Sequence, residues 1–403
     1  MARESHLPTE ILDMIFKLAT RAVTVDTSYQ PLSCDVWQFE SSFPSAPSWH
    51  RSELATHKCL TLVSRRWREL SLPLLYHHIS LFHELALSSL VGTVEASHNE
   101  LGALIRRIDL LFSEESGFQN NDVPILRLLQ SCPNLTVLFQ SLPKSIGSSP
   151  GKLTCNPPMM MLGTAQKLLL QASLIGTCAS DMTAILSFLQ VQRELRILNL
   201  SLFLDGDCGV SALDVLSLPK LHTIRLDSTS HFSVGSVAKA WDVPSLRRIQ
   251  GPWDYKEWSK YINPHQITSV YVEHALRWDD FLCVCPNIEE VYLNHQPPIW
   301  ISTQNKIVRI GLELKQQDEW AIKDHLITFK NPTIYPNLSV IRLSIQKPMF
   351  KTKRQGVFWA YWASRWEAAD VRLEYKNGHS IFQDIPDKFR TEDVVNQYLK
   401  LFK

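Results

Sequence analysis

The sequence predicts an α/β protein in which an N-terminal all-α helical module is followed by an α/β solenoid, with parallel strands on a concave face and helices outside. Two observations predict this fold. Two short helical stretches, residues 7–20 and 58–81, open the chain. From residue 82 onward, a short apolar unit recurs with helical patterns between its copies. The predicted domains are residues 1–81, with an inserted loop at 21–57, and residues 82–403, a solenoid with a C-terminal cap.

The composition is that of a folded protein without strong charge bias. Of 403 residues, 45% are hydrophobic and 20% are charged, which argues against disorder and for more than one compact core. The net charge of +1 creates no overall field that would attract a membrane or nucleic acid. No stretch resembles a signal peptide or a transmembrane helix. We therefore expect the eight scattered cysteines to be reduced, in the cytoplasm or the nucleus.

The first helix is predicted over residues 7–20. Pro8 suits a first helical turn, and Glu10 complements the positive end of the helix dipole. Two adjacent apolar stripes follow at three- and four-residue spacing: Ile11, Ile15, Leu18 and Leu12, Phe16, Ala19. An apolar face this wide on a short helix indicates contact with another protein as well as with its own module.

The second helical stretch runs from Cys59 to Tyr76. Residues 21–57 before it hold three prolines and many serines without a helical period, so they predict an inserted loop. Within the stretch, Val63 and Trp67 belong to one apolar helical face. Pro73 is predicted to end this helix and start a new element.

Together the two stretches resemble an F-box, the module by which F-box proteins dock onto the Skp-type adaptor of cullin–RING (SCF) ubiquitin ligases. The first carries Leu7-Pro-Thr-Glu-Ile11, and the second carries Val63-x-Arg-x-Trp-x-x-Leu70 and then Leu75-Tyr76. The inserted loop departs from the compact family pattern. The resemblance implies adaptor contacts from Leu7, Pro8, Ile11, Leu12, Ile15, Phe16, Leu62, Val63 and Trp67. The alternative is that these residues pack only against one another, with Trp67 the strongest candidate for the core.

The repeating unit is an aliphatic residue or Ala, two variable residues, an aliphatic residue, one variable residue and an aliphatic residue. Full copies begin at Ile105, Ala165, Leu195, Leu221, Ile267, Ile288, Ile307, Leu338 and Ala368, and partial copies at Leu135 and Leu246. The alternation at the end of each unit predicts a strand, and a proline before several copies ends the preceding helix. This half resembles the irregular leucine-rich repeats that commonly follow an F-box.

Helical patterns lie between the predicted strands: Val123–Cys132, Asp181–Gln190, Val210–Ser217, Trp278–Cys285, Asp318–Phe329 and Val357–Glu367. Three tryptophans in the last pattern (Trp359, Trp362, Trp366) share a face that fits packing beneath a cap. Asn377-Gly378 predicts a hairpin, and residues 392–402 predict a final helix. Both would close the open end of a solenoid.

The middle variable residue of each unit is predicted to face the concave groove. The column reads Asp109, Phe139, Leu169, Asn199, Arg225, Gln250, Tyr271, Tyr292, Gly311, Arg342 and Arg372. Its later members mix Tyr and Arg, which are enriched at binding hot spots. The predicted client-binding residues are Arg225, Tyr271, Glu273, Tyr292, Asn294, Arg342 and Arg372. Ordinary solvated strand surface is the alternative.

Other chemistry finds little support in the sequence. Cys283 and Cys285, with His274 and His295, lack the spacing of a structural zinc site. A phosphate-binding glycine loop and a Gly-x-Ser-x-Gly elbow are both missing, although a dispersed Ser-His-Asp triad stays open. The basic run Lys347–Arg354 predicts a solvated loop, or a contact for an acidic or phosphorylated segment. We expect no metal, no cofactor and no enzymatic activity.

The predicted function is that of a substrate-recognition adaptor. The F-box-like module would dock on a Skp-type subunit of a cullin–RING ligase, and the repeats would present a protein client, as yet unknown, for ubiquitination. The alternative is a protein-interaction scaffold on the repeat solenoid with no link to ubiquitin. Membrane binding is not expected, and nucleic-acid binding has only Arg225, Arg342 and Arg372 in its favour.

Overall fold

A computed structural model gives the architecture. It describes residues 7–19, 47–81, 84–110, 122–140, 169–176, 179–202, 213–228, 238–251, 258–272, 282–294, 306–313, 323, 326, 327, 329, 334–343, 353–375 and 378–389. These residues form two compact units, divided between Pro244 and Ser245. Each unit is described separately.

The first unit begins with three helices: α1 (Thr9–Ala19), α2 (Pro47–Val63) and α3 (Arg65–His77). The amides of Ile11 and Leu12 donate to the carbonyl of Pro8, so the first turn forms where the sequence predicts it. Between α2 and α3 only Ser64 is non-helical, and its hydroxyl caps α3 by accepting from the amide of Trp67.

Two sequence predictions for this region are wrong. Residues 47–57, predicted as part of the inserted loop, belong to α2, which begins at Pro47. Proline is favoured at the first helical position, so it marks the start of this helix and not a loop. Pro73 starts no new element but lies inside α3. The break falls instead at Ser64, whose side-chain cap gives the backbone an alternative to continuous helix.

The sheet of the first unit has six parallel strands in chain order. They are β1 (His78–Leu81), β2 (Arg107–Leu110), β3 (Val137–Gln140), β4 (Gln171–Gly176), β5 (Ile197–Leu202) and β7 (Thr223–Ser228). A separate parallel pair joins β6 (Leu216–Ser217) to β8 (Trp241–Asp242). Because β1 is already part of the sheet, the repeat array begins before residue 82, which the sequence predicts as its first residue.

The second unit also has six parallel strands in chain order. They are β9 (Arg248–Gly251), β10 (Ser269–Val272), β11 (Glu290–Asn294), β12 (Arg309–Glu313), β13 (Val340–Leu343) and β14 (Arg372–Glu374). Parallel strands that follow one another in this way, once per sequence repeat, are consistent with a leucine-rich-repeat-like solenoid in each unit. The predicted α/β fold is confirmed at this level.

One face of each sheet carries the apolar repeat residues, and we call it the back face. In the first unit the registered residues are Ile108, Leu138, Ala172, Leu198 and Ile224, and in the second Ile249, Val270, Val291, Ile310, Ile341 and Leu373. All have exposures of 3% or less. Burial of one such side chain contributes about 1.5–3 kcal/mol, so this face supplies the main stabilisation of each unit.

Two repeat copies lie in a different register from the one predicted. The copy assigned to begin at Ala165 begins at Leu169, because Ala172 and Leu174 are the buried residues that pair with β5. At the last copy, Leu373 pairs with Ile341, so Glu374 takes the place predicted for Arg372. The segment from Ala165 to Leu174 is rich in aliphatic residues and fits the repeat pattern at two offsets, whereas the register of the last copy places Asp370 and Tyr375 at two of the three apolar positions.

Short turns containing Pro-Asn lead into the strands, as the sequence predicts. In Cys132-Pro-Asn-Leu135 the Leu135 amide donates to the Cys132 carbonyl at 3.1 Å, and Asn134 donates to the carbonyl of Ala103 in the preceding repeat at 2.8 Å. Asn287 makes the equivalent contact with the carbonyl of His265 at 2.6 Å. These side chains tie each turn to its neighbour and satisfy backbone acceptors that lie outside the sheet.

Helices pack against the sheets between the strands: α4 (Glu84–Ala96), α5 (Asp122–Gln130), α6 (Ala179–Val191), α7 (Lys353–Glu367) and α8 (Ile381–Asp384). The helices predicted over Val123–Cys132, Asp181–Gln190 and Val357–Glu367 correspond to α5, α6 and α7. The prediction over Val210–Ser217 is wrong in its described part, where β6 forms. For Trp278–Cys285 and Asp318–Phe329 the structure describes helix only at 282–284 and at 323, 326, 327 and 329.

The end of the second unit has part of the predicted cap. The three tryptophans of α7 are buried, with exposures of 3–5%. The Tyr375 amide donates to the His379 carbonyl at 2.9 Å, and Gly378 takes a positive φ of 79°. The positive φ of Gly378 and this hydrogen bond fit the predicted hairpin, whose Asn377 lies outside the described residues. The helix predicted over 392–402 lies outside the described residues.

Gly102 gives a stability test of the close contact between repeats. A Cβ at this position would lie 1.9 Å from the carbonyl oxygen of Ser131, which is backbone and cannot rotate away. Gly102→Ala should therefore lower the free energy of unfolding of the first unit by about 3 kcal/mol or more. Urea denaturation followed by circular dichroism measures this change.

Gly92 is the matched control, since it lies within α4 and a Cβ there meets nothing within 4 Å. Gly92→Ala should stabilise the unit by about 0.5–1 kcal/mol through helix propensity. Equal effects of the two substitutions would contradict the packing described here.

Candidate functional site

One aromatic contact joins the N-terminal helix α1 to α3, and one arginine of α3 forms hydrogen bonds with residues at the start of α1. The rings of Phe16 and Trp67 have centroids 4.8 Å apart and are tilted by 59°. The Arg66 guanidinium donates to the carbonyl of Leu7 at 2.9 Å and to the hydroxyl of Thr9 at 3.2 Å. These contacts hold the start of α1 close to the α2–α3 junction.

A strip of apolar side chains is exposed on this helical module. Ile11, Met14 and Ile15 lie on one face of α1, Leu7 lies just before the helix, and the exposures of these four side chains range from 37% to 51%. At the end of α2, Leu62 and Val63 are 82% and 58% exposed. We call these six residues the apolar strip. Large apolar side chains exposed in such number on a small module are typical of an interaction site.

The structure divides the nine predicted adaptor-contact residues into two groups. Leu7, Pro8, Ile11, Ile15, Leu62 and Val63 are exposed. Leu12 and Phe16 are buried, with exposures of 4% and 0%, and Trp67 packs on Phe16. Leu12 and Phe16 therefore form the interior of the module, and Trp67, which is half-buried, covers Phe16.

Met14 belongs to the strip although it was not among the predicted contacts. It follows Ile11 by three residues, so it lies on the same face of α1 as Ile11 and Ile15. The helical period, applied without the family motif, identifies it.

The face of the second unit opposite the back face, which we call the front face, carries two rows of paired residues. One row is Arg248, Ser269, Glu290, Arg309, Val340 and Arg372, and the other is Gln250, Tyr271, Tyr292, Gly311, Arg342 and Glu374. Glu290 is paired with both Arg309 and Arg248, the latter at 3.8 Å. Glu374 is paired with Arg342 at 2.6 Å and with Arg372 at 3.6 Å.

Most of these front-face side chains are buried. Tyr271, Tyr292 and Arg342 have exposures of 2%, 0% and 5%, and burial raises the pKa of Tyr292 above its ordinary value. They do not form the open client-binding surface that the sequence predicts. Long polar side chains that pair across strands bury one another, and the column pattern does not reveal this.

The remaining predicted client-binding residues differ in their position. The Arg372 side chain is 69% exposed, and Arg225 on β7 is half-buried. Glu273 and the side chain of Asn294 lie outside the described residues. In the predicted column, Ser173 takes the place assigned to Leu169, which is a buried repeat residue with 1% exposure.

A polar cluster lies on the front face of the first unit, at β1 and β2. Asp109 is buried and accepts from Arg107 at 2.8 Å and contacts Nε2 of His78 at 2.7 Å. The Ser80 hydroxyl lies 3.4 Å from the same Nε2. A catalytic triad needs the acid and the nucleophile on opposite nitrogens of the imidazole, so this cluster does not have that geometry.

Metal and thiol chemistry have no site among the residues described. No group of three or more His, Cys, Asp or Glu side chains there is arranged to hold a metal. Burial raises the pKa of Cys132 and Cys285 to about 12, which makes both thiols poor nucleophiles at neutral pH. In the same part of the chain, no helix has the length and apolar character needed to cross a bilayer.

Comparison with solved structures gives a likeness to a leucine-rich repeat protein. No family model and no curated protein matches the chain. Among solved structures, the chain is similar to the leucine-rich repeat-containing protein LegL7 from Legionella pneumophila. The superposition has a TM-score of 0.39 and 14% identity, and it covers 80% of this chain and 97% of LegL7. At this TM-score the likeness carries no argument, so the repeat architecture rests on the strand register above.

Substitution at Phe16 and at Ile11 separates the interior of the module from its surface. Phe16→Ala should lower the stability of α1 by about 3 kcal/mol, because it removes a fully buried ring from Trp67. Ile11→Ala should change it by less than about 0.5 kcal/mol, since Ile11 is exposed. Native-state hydrogen exchange of the α1 and α3 amides measures both. Equal loss of protection in the two variants would contradict the division.

The environment of the Asp109 carboxyl predicts a pH-dependent contribution to the stability of the first unit. Burial by itself would raise the pKa of Asp109, but the hydrogen bond with His78 and the Arg107 guanidinium outweigh it and hold this pKa below its ordinary value. A carboxyl of this kind stabilises the fold above its unfolded pKa of about 3.9 and loses this effect as the pH falls through its folded pKa. Asp109→Asn should therefore cost about 2 kcal/mol at pH 5 and clearly less at pH 3.

Urea denaturation at the two pH values measures this difference. Asp242→Asn, at an exposed aspartate whose carboxylate accepts from the Ser217 hydroxyl, is the control and should have little effect at either pH. A cost for Asp109→Asn that does not change between the two pH values would contradict the role assigned to the carboxylate.

Proposed function

We propose that the protein is a substrate-recognition adaptor whose N-terminal helical module docks on a Skp-type subunit of a cullin–RING ubiquitin ligase. The repeats would present a client protein, and other subunits of the ligase would carry out the chemistry. In this proposal the protein contributes proximity and no catalytic group of its own. It would act in the cytoplasm or the nucleus.

The apolar strip is the observation that carries this proposal. Six exposed apolar side chains lie on α1, just before it and at the end of α2, while Leu12 and Phe16 fill the interior of the module and Trp67 packs on Phe16. The strip therefore does not compete with the module's own core, and it is available to a partner without unfolding. Five of its six members are residues for which the F-box resemblance implies adaptor contacts.

The role of the repeats in this proposal is client binding. Parallel repeat arrays provide a rigid surface for protein recognition. Since Tyr271, Tyr292 and Arg342 are buried, the contacts to a client are assigned to exposed positions such as Arg372.

Co-purification with the Skp-type adaptor tests the proposal. The full chain should form a stable complex, and Ile11→Glu/Ile15→Glu should weaken it about 100-fold. Each isoleucine buried at the interface contributes about 1.5 kcal/mol, and 1.4 kcal/mol corresponds to a factor of ten. Both side chains are exposed, so the thermal melt of the variant should match that of the wild type.

Leu85→Glu is the matched control, because Leu85 is 85% exposed on α4 and lies outside the apolar strip. It should bind the adaptor as the wild type does. A folded wild-type chain that forms no complex, or a complex that survives Ile11→Glu/Ile15→Glu, would contradict the proposal. The repeats would then belong to a protein-interaction scaffold without a link to ubiquitin.

A further inference from the structure

The junction between α2 and α3 carries a concentration of positive charge. From Lys58 to Glu69 there are four cations and one anion, a net charge of +3, whereas the whole chain has a net charge of +1. Burial lowers the pKa of His57 below its ordinary value, so this imidazole stays neutral at pH 7 and adds no charge. The excess of positive charge is therefore local to the α2–α3 junction.

Of the four cations, Arg66 holds Leu7 and the other three point to solvent. Arg65 is 93% exposed and pairs with Glu69 at 3.1 Å. Lys58 and Arg68 are also exposed, and neither forms an ion pair with any residue that the structure describes. We call Lys58, Arg65 and Arg68 the basic corner. Arg65 and Arg68 are three residues apart on α3, a spacing at which like charges destabilise a helix by a few tenths of a kcal/mol.

The basic corner borders the most exposed part of the apolar strip. Leu62 and Val63 lie between Lys58 and Arg65 in the chain and are separated from α3 only by Ser64. A partner that covers these two side chains must place its own rim next to the three cations. A neutral or basic rim would remove water from the cations without replacing it by opposite charge, which is unfavourable.

We infer that the surface which docks on the apolar strip has an acidic rim facing the α2–α3 junction, and that Lys58, Arg65 and Arg68 steer its association. This inference rests on the proposed function and adds the chemistry of the partner surface and three further contact residues. On α1 the charges differ: Glu10 is exposed and Asp13 is half-buried, so the acidic rim is expected at the junction and not along α1.

Association kinetics with the purified Skp-type adaptor test the inference. Lys58→Glu/Arg68→Glu reverses the two corner charges that have no described ion pair and leaves Arg65–Glu69 intact. We expect association to slow about tenfold at low salt, with a much smaller change in the dissociation rate. Between roughly 50 and 500 mM NaCl, wild-type association should slow, while the variant should show little or no slowing.

Two controls separate the effect of the basic corner from the effect of the net charge of the chain. Arg193→Glu/Lys260→Glu reverses one arginine and one lysine at exposed positions in the repeats and should associate at the wild-type rate. Glu10→Lys on α1 should not slow association. Thermal melts of the two double variants should match the wild type, since their positions are exposed, whereas Glu10→Lys should lower the melting temperature slightly because it places a cation in the first turn of α1.

The outcomes separate the inference from the proposed function. No wild-type complex would overturn both. A complex that is lost in Ile11→Glu/Ile15→Glu but associates at an unchanged rate in Lys58→Glu/Arg68→Glu would overturn the inference and leave the proposed function intact. Binding to phosphatidylserine vesicles that the charge reversal abolishes, with adaptor kinetics unchanged, would assign the corner to a lipid surface and would also overturn the inference.

Discussion

The in-register pairing of parallel strands is the constraint on which the rest of the structure depends. Each strand places its apolar repeat residue on the back face at the same level as that of its neighbour. A slip of one residue would turn every such side chain to the other face, so burial fixes the register of each strand. The Pro-Asn turns, the helices between strands and the pairing of front-face side chains all follow from this register. Gly102 shows how closely neighbouring repeats then approach, since even one added methyl group meets backbone.

The helical module uses its apolar residues in two ways. On α1, Phe16 and Leu12 face α3, and Ile11 and Ile15 remain exposed, although all four lie within two adjacent stripes of one short helix. The sequence shows how wide the apolar face is, but not which of its residues are buried within the module. That division depends on the angle at which α1 meets α3, which is set by the contact of Phe16 with Trp67 and by Arg66. The module therefore combines a small core with a surface of the same chemical character.

Much of the fold could be predicted from the sequence, because the repeat period and the alternation within each strand are local signals. Nine of the eleven repeat copies lie in the predicted register, and the helices α5, α6 and α7 lie where their patterns indicate. The errors at Ala165 and Ala368 have different causes: the first segment is aliphatic-rich and fits the repeat at two offsets, whereas the last strand departs from the repeat by carrying Asp370 and Tyr375 at apolar positions, so that only strand pairing fixes either register. Pro73 resembles a helix start, but the tertiary context tolerates it inside α3. The apolar strip was largely predictable, but the burial of Tyr271, Tyr292 and Arg342 was not, because it depends on side chains of neighbouring strands.

The ion pairs on the front face of the second unit distinguish one neighbouring strand from another, which the apolar residues of the back face do not. Ile, Val and Leu at the repeat positions are nearly interchangeable, so apolar burial alone does not distinguish one strand as a neighbour from another. The contact of Arg248 with Glu290 crosses β10 and requires a small residue there, which is Ser269. Arg342 likewise needs Glu374 on the strand that follows it. The strands joined by these ion pairs are thereby matched to particular neighbours, so polar contacts contribute to the order of strands in this unit while its stability comes mainly from apolar ones.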